Sequence, residues 1–191
     1  MLRLALLVLS GALLAAEPAK PRELTITSTS RAGQSNQLVA TVPAGFTTTI
    51  KDLPGNKPEA LQAISAESAD QRVQVLITLM PPNEDLPRDA AWLEATFRKA
   101  FADFVSGSVE GKMAPFPLTL TNGIGVAAVF SDKDEAGKPA AKGRGHYKLA
   151  TNALVRVGDS SLATVSIFSD SREAPDYLAA LKVVAGLRAG K

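Results

Sequence analysis

Phe116-Pro117-Leu118-Thr119-Leu120-Thr121-Asn122-Gly123-Ile124-Gly125-Val126-Ala127-Ala128-Val129-Phe130 is the stretch whose reading decides the fold. Asn-Gly is the strongest short hairpin signal, because a tight type I′ turn needs positive φ at both central residues. Runs rich in apolar and β-branched residues flank it. The stretch therefore reads as two antiparallel strands, 116–121 and 125–130, joined through Asn122-Gly123.

A second long hairpin follows. Residues 145–157 read as a strand or pair of strands, Gly158-Asp159-Ser160-Ser161 as a tight turn, and Leu162 to Phe168 as the returning strand. Between the hairpins, Asp132 to Arg144 is a long polar loop with its acids in the first third. Upstream, Val73 to Leu79 is the best strand, with β-branched Val73, Val75 and Ile77 on one face. Leu76, between Gln74 and Thr78, marks the other face as partly covered. Leu61 to Ala66 and Leu38 to Val42 are further strands, and Pro43 ends the latter because proline cannot donate to a ladder. Leu24 to Thr29 reads as a half-buried strand or an extended arm. Lys51 to Pro58, with Asp52, Pro54, Gly55 and Asn56, reads as a surface loop.

Two helices complete the pattern. Residues 88–106 place Leu93, Phe97, Ala100, Phe101, Phe104 and Val105 on one helical face, with Asp85 as cap, Pro87 early in the helix and Gly107 as stop. A closing helix starts near Ala174 and lines up Tyr177, Leu178, Leu181, Val184 and Ala185. Sequential hairpins imply an antiparallel sheet, and two amphipathic helices must cover it. The expected fold class is α+β: one antiparallel sheet covered by a mid-chain helix and a C-terminal helix, an α/β/α sandwich.

The chain opens with Arg3, an apolar run from Leu4 to Leu9, and small residues ending at Ala15-Ala16. This is the pattern of a secretory signal peptide. It is shorter than the roughly 20 apolar residues a membrane span requires. Residues 1–16 are read as the signal, 17–36 as a leader and first strand or arm, and 37–191 as a single α+β domain. The expected address is outside the cytoplasm, in the periplasm or alternatively the medium, with no transmembrane anchor after cleavage.

Twenty-one basic and nineteen acidic residues give a formal charge of +2, and loss of Arg3 with the signal leaves one unit less, +1. Such a balance is no electrostatic footprint for nucleic acid. There is no cysteine. Disulfides, thiolate zinc sites, iron–sulfur clusters and cysteine nucleophiles are thereby excluded.

Val42-Pro43-Ala44-Gly45-Phe46 resembles the short motif that opens domains of the Mog1/PsbP-like superfamily. The mid-chain helix, the hairpin carrying Gly123-Ile124-Gly125, the second hairpin and a closing helix ending near Ala185-Gly186-Leu187 are similar to that pattern too, over roughly Leu38 to Arg188. The resemblance, which extends to the periplasmic DcrB-like group, implies an antiparallel sheet between helices. It also implies a binding or accessory module rather than an enzyme, with no shared catalytic residues to carry over.

His146 is the single histidine. No Gly-x-Ser-x-Gly elbow accompanies it, so it reads as a surface or strand-edge residue. Asp132-Lys133-Asp134-Glu135 begins like a calcium loop, but Ala136 and Gly143 stand where the loop wants ligands at its fifth and twelfth positions. Glu84, Asp85, Glu94 and Asp103 form no pair marked by spacing. Gly123-Ile124-Gly125 lacks the third glycine and following helix of a dinucleotide fingerprint. Phe97, Phe101 and Phe104 follow helical spacing and read as core. Trp92 lies off that stripe and is the candidate contact for a partner or ligand. No catalytic residue, metal or cofactor is expected. The leading expectation is a non-enzymatic exported envelope protein that binds a protein partner or a small apolar ligand. Its rivals are a hydrolase built around His146 or the 132–135 acids, and a self-associating structural protein that lends residues 24–29 to a neighbour's sheet edge.

Overall fold

The computed structural model describes residues 20–54, 60–82, 89–139 and 146–190. The signal segment 1–16, the Asp85 cap and Pro87 lie outside the described residues.

The long hairpin at Asn122-Gly123 is strand β6 (Phe116–Leu120) followed by β7 (Gly123–Ser131). The two turn residues are Thr121 and Asn122, neither with positive φ, and Gly123 already pairs with Leu120, so the turn is not the type I′ expected of Asn-Gly. Glycine is needed there for space, since a Cβ at Gly123 would collide with the Arg156 carbonyl oxygen. The second hairpin is β8 (Leu149–Val157) and β9 (Ser161–Ser169), and β8 pairs with β7 along its length. Upstream, β3 (Phe46–Leu53), β4 (Leu61–Ser68) and β5 (Val73–Leu79) form a meander. Together these strands make one antiparallel seven-stranded sheet in the order β3-β4-β5-β9-β8-β7-β6. The long connection from β5 to β6 carries the mid-chain helices.

A second sheet, which the hairpin pattern does not announce, consists of β1 (Arg22–Thr29), β2 (Ser35–Val42) and the two-residue β10 (Arg188–Ala189), in the order β1-β2-β10. The 24–29 segment is thus a strand paired within the chain, and Ile26 is fully buried in the main core. Lys51 to Leu53 belong to β3 rather than to a loop, in register with β4 from Leu61 to Ala63. β3 is an edge strand with both faces largely exposed, so burial imposed no alternation on its sequence. Its three successive threonines favour extension without patterning.

The helical stretch 88–106 also divides. Helix α1 (Ala90–Ala100) is capped by Asp89, whose carboxylate accepts the Trp92 N–H at 2.6 Å. The chain bends at Phe101-Ala102 and resumes as the short α2 (Asp103–Gly107). Helix α3 (Pro175–Ala185) buries Tyr177, Ala180, Val183 and Val184, while Leu178, placed by spacing on the inner face, is 48% exposed.

Among the described residues the fold is therefore α+β, with antiparallel sheets and three helices. On one side of the seven-stranded sheet, the β1–β2–β10 sheet and α3 enclose the larger core cluster, built on Ile64, Val75, Ile77, Leu79, Val155 and Ile167. On the other side, α1 packs on β7 and β8. There Leu93, Phe97 and Phe101 meet Val126, Phe130, Leu154 and Leu162.

Candidate functional site

Strand register sets the floor of the site. Glu67, Gln74, Phe168, Ala150 and Phe130 lie side by side across β4, β5, β9, β8 and β7. Adjacent strands are about 4.8 Å apart, so Phe130 and Phe168 stand roughly 10 Å apart with the small Ala150 between them. A hollow between two aromatic rings follows from that triplet alone.

Helix α2 supplies the wall. Its C-terminal end is fastened to the end of β7 by several bonds. Val109 N–H donates to the Ser131 carbonyl at 2.8 Å, and Lys133 N–H donates to the Gly107 carbonyl at 3.0 Å. Ser108 and Asp132 form a β-bridge. The Glu110 carboxylate accepts from the Ser131 N–H at 2.9 Å and from the Ser131 hydroxyl at 2.7 Å. Partial burial pushes the Glu110 pKa up, but these hydrogen bonds, with one from Ser108, outweigh it and hold the carboxyl below its ordinary value. The bend at Phe101-Ala102 lets α2 reach this anchorage.

The result is a cavity of about 330 Å³, at the lower end of the range for small-molecule sites. Its apolar walls are Phe104, Phe130, Tyr147, Leu149, Ala150 and Phe168. Tyr147 stacks on Phe168 with ring centroids 5.8 Å apart and planes 28° apart. Phe104 tilts over Phe130 at 5.7 Å. Phe104 also touches Phe101, which touches Phe97, so an aromatic chain runs from the fully buried Phe97 to the cavity wall. Asp103, Ser108, Ser131 and Asp132 supply the polar part of the lining. An adjoining hollow of about 200 Å³ shares Asp132, Tyr147 and Phe168 and adds Gln74.

The residues singled out in the sequence fall in several places. Trp92 is partly buried in the first turn of α1 and packs, as Met80, Val105 and Met113 do, against the second core cluster. It is not among the residues lining the cavity. His146 has a side chain 58% exposed, and its Nδ1 lies 3.6 Å from Glu135 Oε1. Lys138 Nζ reaches the same oxygen at 3.4 Å. Among the described residues no hydroxyl is hydrogen-bonded to His146. Asp132 Oδ1 accepts the N–H of Asp134 at 2.7 Å, turning the acidic loop on itself, and among the described residues no group of three acids or histidines could hold a metal ion. Glu94 is bridged to Arg98 at 2.7 Å. Of the acids considered, Asp103 and Asp132 are brought together at the cavity.

Phe130, Tyr147 and Phe168 are the site residues that periodicity does not reveal. One signal for Phe168 is present. On β9 the buried face carries Ala163, Val165 and Ile167, and the opposite face begins with Leu162 and continues with Thr164 and Ser166. An aromatic ring in that polar register is out of pattern. Chemically, the arrangement can hold a flat apolar body by stacking, with carboxylates and hydroxyls at one side. In comparisons with known proteins, no family model, no curated protein and no solved structure matches the chain.

Proposed function

We propose that the chain is an exported envelope protein, non-enzymatic, that binds a small apolar ligand in the cavity between α2 and the seven-stranded sheet. The observation that carries this reading is the 330 Å³ hollow walled by Phe104, Phe130, Tyr147 and Phe168. An open apolar concavity with a few polar groups at its side is the ordinary form of a small-molecule site. The export half rests on the signal-like pattern of residues 1–16. Among the described residues no helix is long and apolar enough to cross a membrane. The Mog1/PsbP-like resemblance belongs to the same proposal. The order of mid-chain helices, two hairpins and closing helix supports it, as does α1 and α3 lying on opposite sides of the large sheet.

The test is titration of the purified protein with a neutral polarity-sensitive dye such as 1-aminoanthracene. Saturable one-site fluorescence enhancement is expected, lost in Phe168→Ala and Phe104→Ala and retained in Ile50→Ala on the far edge of the sheet. Absence of saturation, or equal enhancement in all three variants, overturns the reading. Export is checked by N-terminal sequencing of the envelope fraction. A chain beginning near Glu17 supports it, and an intact Met1 in the cytoplasm overturns it.

A further inference from the structure

Building on the apolar-ligand reading, we infer that the cavity selects a small organic cation, a quaternary or aromatic ammonium, over a neutral or anionic molecule of the same shape. The first ground is the lining. Asp103 and Asp132 stand beside four aromatic rings, and no lysine, arginine or histidine is among the described lining residues. Ring faces carry negative electrostatic potential and attract ammonium groups within about 6 Å of the centroid. Carboxylates at the same opening add a charge term of the same sign.

The second ground is what the nearby cations do. Lys133 Nζ donates to the Ser106 carbonyl at 2.9 Å. Lys138 and His146 both approach Glu135. Each of these three positive groups thus has a partner other than the aspartates that line the cavity. Lys148, between Tyr147 and Leu149, has no such contact among the described residues, and it supplies a control. The third ground is Asp170, two residues beyond Phe168. Both of its carboxylate oxygens are buried with no hydrogen-bond partner. Buried polar groups are normally satisfied; Asp170 is outside the cavity lining, and it adds an unsatisfied acid to the chain just beyond the lining residue Phe168.

The experiment compares three probes on the whole purified protein at low salt: trimethylanilinium, its neutral isostere tert-butylbenzene, and benzoate. Binding is read by calorimetry and by the shift of the Ala150 methyl resonance. Trimethylanilinium is expected to bind at least fivefold more tightly than tert-butylbenzene, with benzoate weakest. Salt should narrow the gap, because exposed charges are screened. The double variant Asp103→Asn/Asp132→Asn should bring cation and isostere within twofold of each other. Asparagine keeps the acceptor for the Asp134 N–H, so the loop is preserved. Lys148→Met should tighten the cation alone. Equal binding of cation and isostere, or a ratio unmoved by the double variant, overturns the cation inference and leaves the apolar-ligand reading standing. Failure of all three probes to bind overturns both.

Discussion

On the α3 side of the seven-stranded sheet, the row Ile64, Ile77, Val165 and Ala153 is no more than 3% exposed. One residue along each strand, on the α1 side, the row reads Ser65, Leu76, Ser166 and Asn152. The first row is sealed by α3 and a second sheet. The second row is held partly by side-chain hydrogen bonds, Ser166 to Asn152 at 2.7 Å and Gln74 to Ser65 at 3.3 Å. One backbone thus presents a face closed by hydrophobic burial and a face only half closed, with the cavity at its open end. Stability is concentrated on the first face and ligand chemistry on the second.

The sharpest way to break that comparison is a pair of truncations. Ile77→Ala removes a fully buried side chain from the sealed face and should cost about 2–5 kcal/mol. Phe168→Ala removes a larger side chain, but one already bordering an open hollow, and should cost about 1–2 kcal/mol while abolishing dye binding. Urea unfolding of both variants decides it. If Phe168→Ala proves as damaging as Ile77→Ala, the cavity is part of the core and the division between the faces fails.

The sealed face was the legible one. Val73, Val75 and Ile77 alternate cleanly because burial acts on sequence locally. The hairpin near Asn122-Gly123 is present, although it turns one residue earlier, at Thr121-Asn122, without the positive φ that Asn-Gly suggests. Edge strand β3 was not legible, since exposure on both faces removes the alternation that marks a strand. The bend at Phe101-Ala102 was hidden for a different reason. Phe97, Phe101 and Phe104 keep helical spacing across it, and what redirects the chain is long-range, the bonding of α2 to β7. The cavity needs Phe130, Ala150 and Phe168 in one register row, and no single segment of sequence contains that row. Trp92, the aromatic off the stripe, is partly buried against the α1 cluster, away from the cavity lining.

The α2 anchorage offers a smaller effect with a distinct pH signature. Glu110 has a folded pKa below its ordinary value of 4.5. Its contribution to stability is therefore complete above that value and is lost as the pH falls through the lower folded one. Glu110→Gln should cost about 1 kcal/mol at neutral pH, kept low by solvent exposure of the pair. The gap from the unchanged protein should close in acid. Because α2 is a cavity wall, the variant should also weaken ligand binding more than it weakens the fold. A loss of stability that persists below the folded pKa would show that packing rather than the carboxylate holds α2 in place.

The smallest effect lies at the turn between β4 and β5, at the same end of the sheet as the cavity row. Gln71 has φ 59°, the one described non-glycine residue in the left-handed region. Ser68 and Asp70 hold it there. Ser68 Oγ donates to Asp70 Oδ1 at 2.7 Å and accepts the Val73 N–H at 3.0 Å, and Asp70 also accepts the Arg72 N–H at 3.1 Å. Left-handed backbone costs an ordinary residue about 1–2 kcal/mol. Glycine removes that cost but gives back about 0.5–1 kcal/mol through its freer unfolded chain. Gln71→Gly should therefore raise stability by roughly 0.5 kcal/mol, visible as a higher urea midpoint, with cation affinity unchanged. A lower midpoint would mean that the Ser68–Asp70 network depends on the Gln71 side chain. Altered affinity would mean that the turn, and not α2 alone, sets the shape of the open face.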